Sequence, residues 1–260
     1  MRTHRARFAR LFTLGLFSSA LALSVAKPAS AEEWTRRSYI LPRGDFEITG
    51  EPARPRMVNI NMSENSAFDP VTIAPHFYWG VSDTVTLGIT HDRGICLGDA
   101  CGDKVYNDAG FGLLVGLGYG RTYEIDLHVE VPVQSFDPFV LGARVGVLGR
   151  VNLGAVTAFV FDPSLYFGMT RRDEGNREYL GLPFWFYFQA TDVVVPFVGS
   201  GIQGPLDGFS DSFQIPLEGG IVFDVAQNVD VGFVLRFPNL AGKGNSADWR
   251  ELGFIGRFRF

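Results

Sequence analysis

Apolar and polar residues alternate without interruption between positions 123 and 131 of the chain. The odd positions carry apolar or aromatic side chains, and the even positions carry only Glu, Asp or His. Because successive side chains of a β-strand point to opposite faces, this pattern predicts a strand with one apolar and one aqueous face. The aqueous face comprises Glu124, Asp126, His128 and Glu130.

The same alternation recurs in ten further segments between residues 71 and 260. One set of alternate positions is mainly Val, Leu, Ile and Phe, and the opposite set is mostly Gly, Thr, Asn, Gln or charged. An earlier segment, 56–62, also alternates, and we take it as the first strand. The sequence therefore predicts twelve strands.

The connections between these strands form two classes that alternate along the chain. Short connections lie at 80–83, 120–122, 149–152, 190–192 and 225–228, and longer polar ones at 62–69, 92–107, 132–137, 171–179, 203–211 and 240–248. This is typical of a meander with short periplasmic turns and longer extracellular loops, with both termini periplasmic. An open sheet edge in hydrocarbon would leave backbone groups unpaired, so the sheet must close. We expect an all-β, closed antiparallel up-and-down transmembrane β-barrel over residues 56–260.

Aromatic residues on the apolar face support a bilayer environment. They lie beside the predicted turns at Trp79, Tyr119, Tyr123, Phe188, Phe223 and Phe260, and near the opposite end at Phe139, Phe213, Phe237 and Trp249. Two aromatic girdles are what two membrane interfaces favour.

The first 31 residues have the pattern of a cleavable signal peptide. Arg2, Arg5, Arg7 and Arg10 precede an apolar stretch at 11–26, and Ala29-Ser30-Ala31 ends it. An uncleaved N-terminal anchor is the alternative. After cleavage the remaining 229 residues would carry a net charge of −10, which argues against nucleic-acid binding through a basic patch.

Residues 32–55 fit the strand pattern poorly. Residues 45–49 alternate, but Pro52 and Pro55 would be poor in a paired strand. This segment is a periplasmic extension, a strand preceding a bulge, or a plug in the lumen, and the pattern leaves all three open. Pro163 likewise divides the predicted strand at 152–170, which indicates a bend.

The chain closes on Trp-Arg-Glu-Leu-Gly-Phe-Ile-Gly-Arg-Phe-Arg-Phe. This segment resembles the terminal strand of bacterial outer-membrane β-barrel proteins, which ends in Phe with alternate apolar residues. The resemblance implies that Phe254, Phe258 and Phe260 form the signal read by the barrel assembly machinery. It also implies an outer-membrane location and contact with outer-membrane lipid, and it identifies the superfamily without a subfamily.

The predicted lumen face carries acids and bases on different walls. Glu124, Asp126, His128, Glu130 and Arg144 lie on neighbouring strands, and Glu218, Arg236, Arg257 and Arg259 lie across the barrel. A charged lumen favours a small porin-like channel for small polar or charged solutes. The alternative is a non-conducting structural or surface-interaction barrel whose interior charges pair and fill the bore.

No catalytic motif stands out, so we do not expect an enzyme. Outer-membrane phospholipases and lipid A deacylases use a His with a neighbouring Ser, and no such arrangement surrounds His76, His91 or His128. His128 has carboxylates on the same face, as a general base would. We interpret it instead as part of a solvated lumen wall, and we expect no cofactor.

The only cysteines, Cys96 and Cys101, lie in the longest predicted loop. An exported chain meets an oxidising compartment, so we expect a local disulfide. Two thiolates without a second pair are too few for a zinc site. Four aspartates of this loop, Asp92, Asp99, Asp103 and Asp108, offer oxygen ligands for Ca²⁺ but lack regular spacing, and a solvated surface loop is the preferred interpretation.

Overall fold

The computed structural model describes residues 34–64, 66–244 and 247–260. The predicted signal peptide at 1–31 lies outside these residues. No helix in this part of the chain is long and apolar enough to cross a membrane.

The described residues form sixteen strand segments in one antiparallel sheet. Their bounds are β1 (Phe46–Thr49), β2 (Arg56–Asn61), β3 (Val71–Ile73), β4 (His76–Ser82), β5 (Val85–Thr90), β6 (Ile95–Leu97), β7 (Ala109–Tyr119), β8 (Tyr123–Phe136), β9 (Phe139–Asn152), β10 (Thr157–Phe161), β11 (Ser164–Gly168), β12 (Tyr179–Phe188), β13 (Val194–Pro205), β14 (Gln214–Ala226), β15 (Val229–Gly242) and β16 (Glu251–Arg259). Within the described residues, helical structure is limited to 3-10 turns at Trp34–Arg36, Asp99–Cys101 and Arg172–Glu174 and to the short helix α1 (Phe209–Ser212).

The sheet closes on itself as a barrel of twelve staves, where a stave is one position around the wall. Eight staves are single strands, and four are built from two consecutive segments: β1 with β2, β3 with β4, β5 with β6, and β10 with β11. The last strand, β16, pairs with β15 on one side and with both β1 and β2 on the other. The predicted closed twelve-strand barrel is confirmed.

The first stave begins earlier than the sequence predicted. Phe46–Thr49 pairs with β4 and with β16, so the wall starts at residue 46 and not at residue 56. The prolines that argued against a strand at 50–55 lie where the chain leaves the wall and returns to it. Pro163 acts in the same way, because the seventh stave is interrupted between Phe161 and Ser164.

The connections at the two ends of the barrel differ, as expected. The structure places the bounds of some connections at other residues than the sequence predicted. We call the end that carries the connections 83–84, 120–122, 153–156, 189–193 and 227–228 the turn end, and the opposite end the loop end. The predicted loop at 132–137 is wrong, because β8 continues to Phe136 and reverses at residues 137 and 138. Likewise β9 extends through the predicted connection at 149–152.

The two faces of the wall carry opposite chemistry. Outward side chains are apolar and exposed, with Phe111 72% and Tyr119 80% accessible, and the exposed aromatics Trp79 and Phe260 also lie near the turn end. Inward side chains are buried, and they include Leu114 together with charged residues such as Asp224. The wall therefore has an apolar belt outside and a polar lumen inside, which is the arrangement that a bilayer selects.

Candidate functional site in the barrel lumen

The acidic face of β8 points into the barrel. Glu124, Asp126, His128 and Glu130 are all less than a tenth exposed. Two of them pair with arginines directly opposite on β9: Arg150 donates to Glu124 at 2.8 Å and Arg144 to Glu130 at 2.9 Å. The antiparallel register sets these cross-strand ion pairs, because residues facing each other on one face have neighbouring Cβ atoms.

His128 is held by two carboxylates. Its Nδ1 lies 3.1 Å from Asp162 and its Nε2 lies 3.5 Å from Glu130. The sequence predicts a solvated wall position for His128, and this prediction is wrong, because the residue is only 2% exposed. It belongs to a buried cluster of charges, and the neighbouring Asp126 has one carboxylate oxygen without a hydrogen-bond partner among the described residues.

The bases and acids predicted on the far wall form two groups. Glu218 and Arg236 face each other on β14 and β15, with 3.7 Å between Arg236 Nε and the Glu218 carboxylate. Arg257 and Arg259 lie nearer the turn end, where both reach Glu47 of β1, at 3.6 and 2.8 Å. The structure therefore does not gather the nine predicted lumen residues into one site.

A segment that the strand pattern did not place fills the turn half of the lumen. We call residues 34–42 the N-terminal segment; its Trp34, Arg37 and Leu41 are each no more than 5% exposed. Arg37 donates to Asp230 at 2.8 Å and to Asp224 at 3.2 Å, two carboxylates on β15 and β14. Both partners are buried, so water cannot solvate either charge in place of its partner. The stabilisation that this ion pair provides therefore depends on its geometry.

The opposite side of the N-terminal segment is bonded to other strands. Ser38 donates its hydroxyl hydrogen to Glu124 of β8 at 2.5 Å, and the Leu41 amide donates to the Thr86 hydroxyl of β5 at 2.9 Å. Arg259 of β16 donates to the Ser38 carbonyl at 3.2 Å. The N-terminal segment thus crosses the bore and is bonded to several sides of the wall.

A second piece of chain enters the lumen between β1 and β2. We call residues 50–55 the inward turn. It is a tight reversal in which the Arg54 amide donates to the Glu51 carbonyl at 3.0 Å, with Pro52 at the position where its fixed φ favours a turn. Gly50 is required at its neck, because an added Cβ would lie 2.3 Å from the Arg56 carbonyl oxygen.

The tip of the inward turn reaches the far wall. The Tyr187 hydroxyl of β12 donates to the Ala53 carbonyl at 2.9 Å, and Arg54 donates to Glu218 of β14 at 3.1 Å. Arg54 also pairs with Glu51 at 2.8 Å, and its guanidinium lies 6.0 Å from the centre of the Trp185 ring. Arg54 therefore contacts two carboxylates and an aromatic ring within the bore.

Glu51 lies beside Arg54 at the floor of the loop half. Its carboxylate is 2.8 Å from the Arg54 guanidinium, and 42% of its side chain remains exposed in the lumen. The floor of the loop half therefore presents a carboxylate next to a guanidinium.

The loop half of the lumen contains space. A chamber of about 130 Å³ lies above the inward turn. Its walls include Glu51, Arg54, Arg144, Asp162, Ser164, Tyr166, Tyr179, Trp185, Ser200, Gln203, Glu218 and Arg236. Arg144, Tyr166 and Tyr179 also line a wider vestibule of about 530 Å³ bordered by loop residues such as Arg171 and Arg177. The chamber is polar, charged on several sides and reached from the loop end.

The cysteine loop is pinned as expected. Cys96 and Cys101 form a disulfide. Asp108 accepts the backbone amides of Asp92, Arg93 and Gly94, so its carboxylate organises the loop backbone. Among the described residues no three His, Cys, Asp or Glu side chains are grouped as metal ligands.

Comparison with known proteins agrees on the fold. No family model matches the chain. The KdgM porin in complex with disordered oligogalacturonate is similar, with a TM-score of 0.56 at 8% identity over 84% of this chain and 98% of that one. The NanC porin is also similar, with a TM-score of 0.54 at 7% identity over 77% of this chain and 97% of that one. At these identities the likeness shows a shared β-barrel fold.

One curated sequence is also similar. It is a phosphatidylglycerol–prolipoprotein diacylglyceryl transferase of Aliarcobacter butzleri, 28% identical over 187 residues. The match covers 66% of this chain, and the chain spans 62% of the length of that relative. This similarity assigns no family to the chain.

Proposed function

We propose that the protein is a channel of the bacterial outer membrane for small polar or charged solutes. The observation that carries the proposal is the polar chamber, which opens towards the loop end and lies inside a wall whose outer face is apolar. Side-chain charges that line a narrow bore set which solutes pass. The similar barrels are porins, one of them described in complex with oligogalacturonate, and this supports a small hydrophilic solute.

The apolar belt supports the location. Large exposed side chains such as Phe111, Leu117 and Phe233 would be costly in water and are favoured against lipid. On this proposal the turn end faces the periplasm, both termini lie there, and 1–31 is removed as a signal peptide. Phe254, Phe258 and Phe260 on and after β16 would serve as the signal for the barrel assembly machinery.

The N-terminal segment acts as a plug in this proposal. It lies between the chamber and the turn end, and buried ion pairs and hydrogen bonds hold it to the wall. The arrangement of residues 34–42 therefore corresponds to a closed channel. Conduction requires that this segment leaves the bore or shifts within it.

Planar-bilayer recording tests the proposal. We expect rare or small conductance steps from the processed wild-type protein and frequent, larger steps when residues 34–42 are deleted. Arg37→Ala should act in the same direction, because it removes the cation that two buried carboxylates hold. Arg43→Ala is the matched control, since this arginine is exposed and follows the segment.

A deletion variant that is folded but silent would count against a channel. It would favour the second candidate, a non-conducting structural or surface-interaction barrel. The filled turn half favours this candidate, because paired charges and buried aromatics there stabilise a barrel without any opening. Retention of the heat-sensitive electrophoretic shift of a closed barrel would show that the variant is folded.

A further inference from the structure

The inward turn differs from the N-terminal segment in how it is attached. Both of its ends continue into the wall: Thr49 of β1 faces Arg257, and Arg56 of β2 faces Ile255. The six residues between them therefore stand against a single residue of β16, Gly256, whose amide donates to the Pro55 carbonyl at 3.0 Å. Such a turn cannot leave the bore while the first stave is intact.

The inward turn also spans the bore. It starts in the first stave and bonds to Tyr187 in the eighth and Glu218 in the tenth of twelve staves. The backbone contact at Ala53 fixes its tip on a stave nearly opposite the first one, and the side-chain contact at Arg54 fixes it on a stave three positions from the first. When the N-terminal segment is removed, this crossing remains.

Charge at the crossing is concentrated on few groups. Arg54 is paired with Glu51 at 2.8 Å and with Glu218 at 3.1 Å, so one cation is set against two carboxylates. Both carboxylates and Arg54 line the chamber. An ion that passes the crossing meets these three charges at close range, where a single charge has its largest effect.

We propose that the inward turn is the fixed constriction of the channel and that Arg54 at its tip determines the charge selectivity. This proposal rests on the proposed channel function. Loss of the Arg54 charge leaves Glu51 without its ion-pair partner and Glu218 with Arg236 alone, so the preference moves towards cations. Replacement by lysine keeps the charge and leaves the preference close to that of the parent.

Reversal potentials test the assignment of Arg54. The parent is the protein without residues 34–42, reconstituted in planar bilayers under a potassium chloride gradient. Arg54→Gln is expected to raise the ratio of potassium to chloride permeability about threefold, which one unit charge a few ångströms from the ion path provides in water. Arg54→Lys and Arg121→Gln are the controls, the latter removing an equal charge from an exposed arginine in the connection 120–122, which lines neither the chamber nor the vestibule.

Replacement of the whole inward turn tests the constriction. One valine in place of residues 50–55 stands opposite Gly256 and keeps Thr49 and Arg56 in their present register. We expect a folded barrel whose single-channel conductance is severalfold larger than that of the parent, with weaker charge selectivity.

The outcomes separate this proposal from the function on which it rests. Conducting channels in which Arg54→Gln matches Arg121→Gln, or in which the single-valine variant has the parent conductance, overturn the constriction and leave the channel intact. Silence of every folded variant, including the single-valine protein without residues 34–42, overturns the channel function and the constriction with it.

Discussion

The two halves of the lumen accommodate inward-facing charged side chains in different ways. In the turn half, inward charges are neutralised by chain that enters the bore, and groups such as Asp224 and Asp230 have no exposed surface. In the loop half, charges line the chamber and vestibule, and Arg144 keeps 37% of its side chain exposed. Inward-facing polar residues can therefore be packed against other protein groups in the turn half and line open space in the loop half.

The difference has energetic consequences. A buried ion pair stabilises a fold only conditionally, but removal of one partner leaves an uncompensated charge that is costly. A pair in contact with water gains little and loses little when it is broken. Stability should therefore respond strongly to changes in the turn half and weakly to changes at the loop end, whereas conduction should respond to both.

The largest effect is expected at Asp230. Its carboxylate accepts from Arg37 at 2.8 Å and from the Trp34 indole at 3.2 Å, and Arg257 lies 3.9 Å away. Asp230→Ala should lower the free energy of unfolding by about 3 to 5 kcal/mol, because it leaves buried donors without their acceptor. Urea unfolding in lipid vesicles measures this change.

The control for this change is Asp103→Ala, which removes an exposed carboxylate from the cysteine loop. If Asp230→Ala and Asp103→Ala lowered the free energy of unfolding equally, these buried charges would not be what stabilises the turn half.

The apolar outer face of the wall provides the next test. This face must contact lipid if the lumen is a channel through the membrane. Leu235 on β15 and Leu206 in the loop before β14 have nearly the same exposed fraction, 44% and 43%. Leu235→Arg should destabilise the barrel by about 2 to 4 kcal/mol, the cost of a charge near the middle of a bilayer. Leu206→Arg should be close to neutral, since the loop lies outside the strands.

The same urea titrations decide the point. If Leu235→Arg leaves the free energy of unfolding unchanged, this face is not buried in lipid, whatever the channel conducts.

The sequence predicted the wall better than the contents of the lumen. Period-two alternation assigns each side chain to one face, and this was enough to find twelve staves and to place residues such as Glu124 and Glu218 inside. Alternation says nothing about how far apart two inward side chains lie across the bore. The pairing of Arg37 with Asp224 and the bond from Tyr187 to Ala53 therefore could not be predicted.

Pro52 and Pro55 were the useful signal for the inward turn. They showed that the wall is interrupted there, but a proline does not say whether the chain turns outwards or into the lumen. The sequence thus left three interpretations of 32–55 open, and the contacts of Arg37 with Asp230 and of Arg54 with Glu218 distinguish them.

The disulfide is expected to have an intermediate and local effect. It closes a loop of six residues from Cys96 to Cys101, for which chain entropy gives about 2 kcal/mol. Reduction, or Cys96→Ser with Cys101→Ser, should speed proteolysis within 91–108 several-fold and lower the free energy of barrel unfolding by no more than this amount. A change in barrel unfolding equal to that of Asp230→Ala would show that this loop is part of the folding core.

The smallest effect is expected at the pair of Arg177 and Asp207 on the loop end. Arg177 donates to Asp207 at 3.1 Å, but the two side chains are 52% and 82% exposed. A double-mutant cycle with Arg177→Ala and Asp207→Ala should give a coupling of no more than about 1 kcal/mol, falling further as salt is added. The same type of cycle on Arg37 and Asp230 should give a larger coupling that salt scarcely alters, because no water reaches that pair. Equal coupling at the two sites would remove the distinction between a packed turn half and a wet loop half.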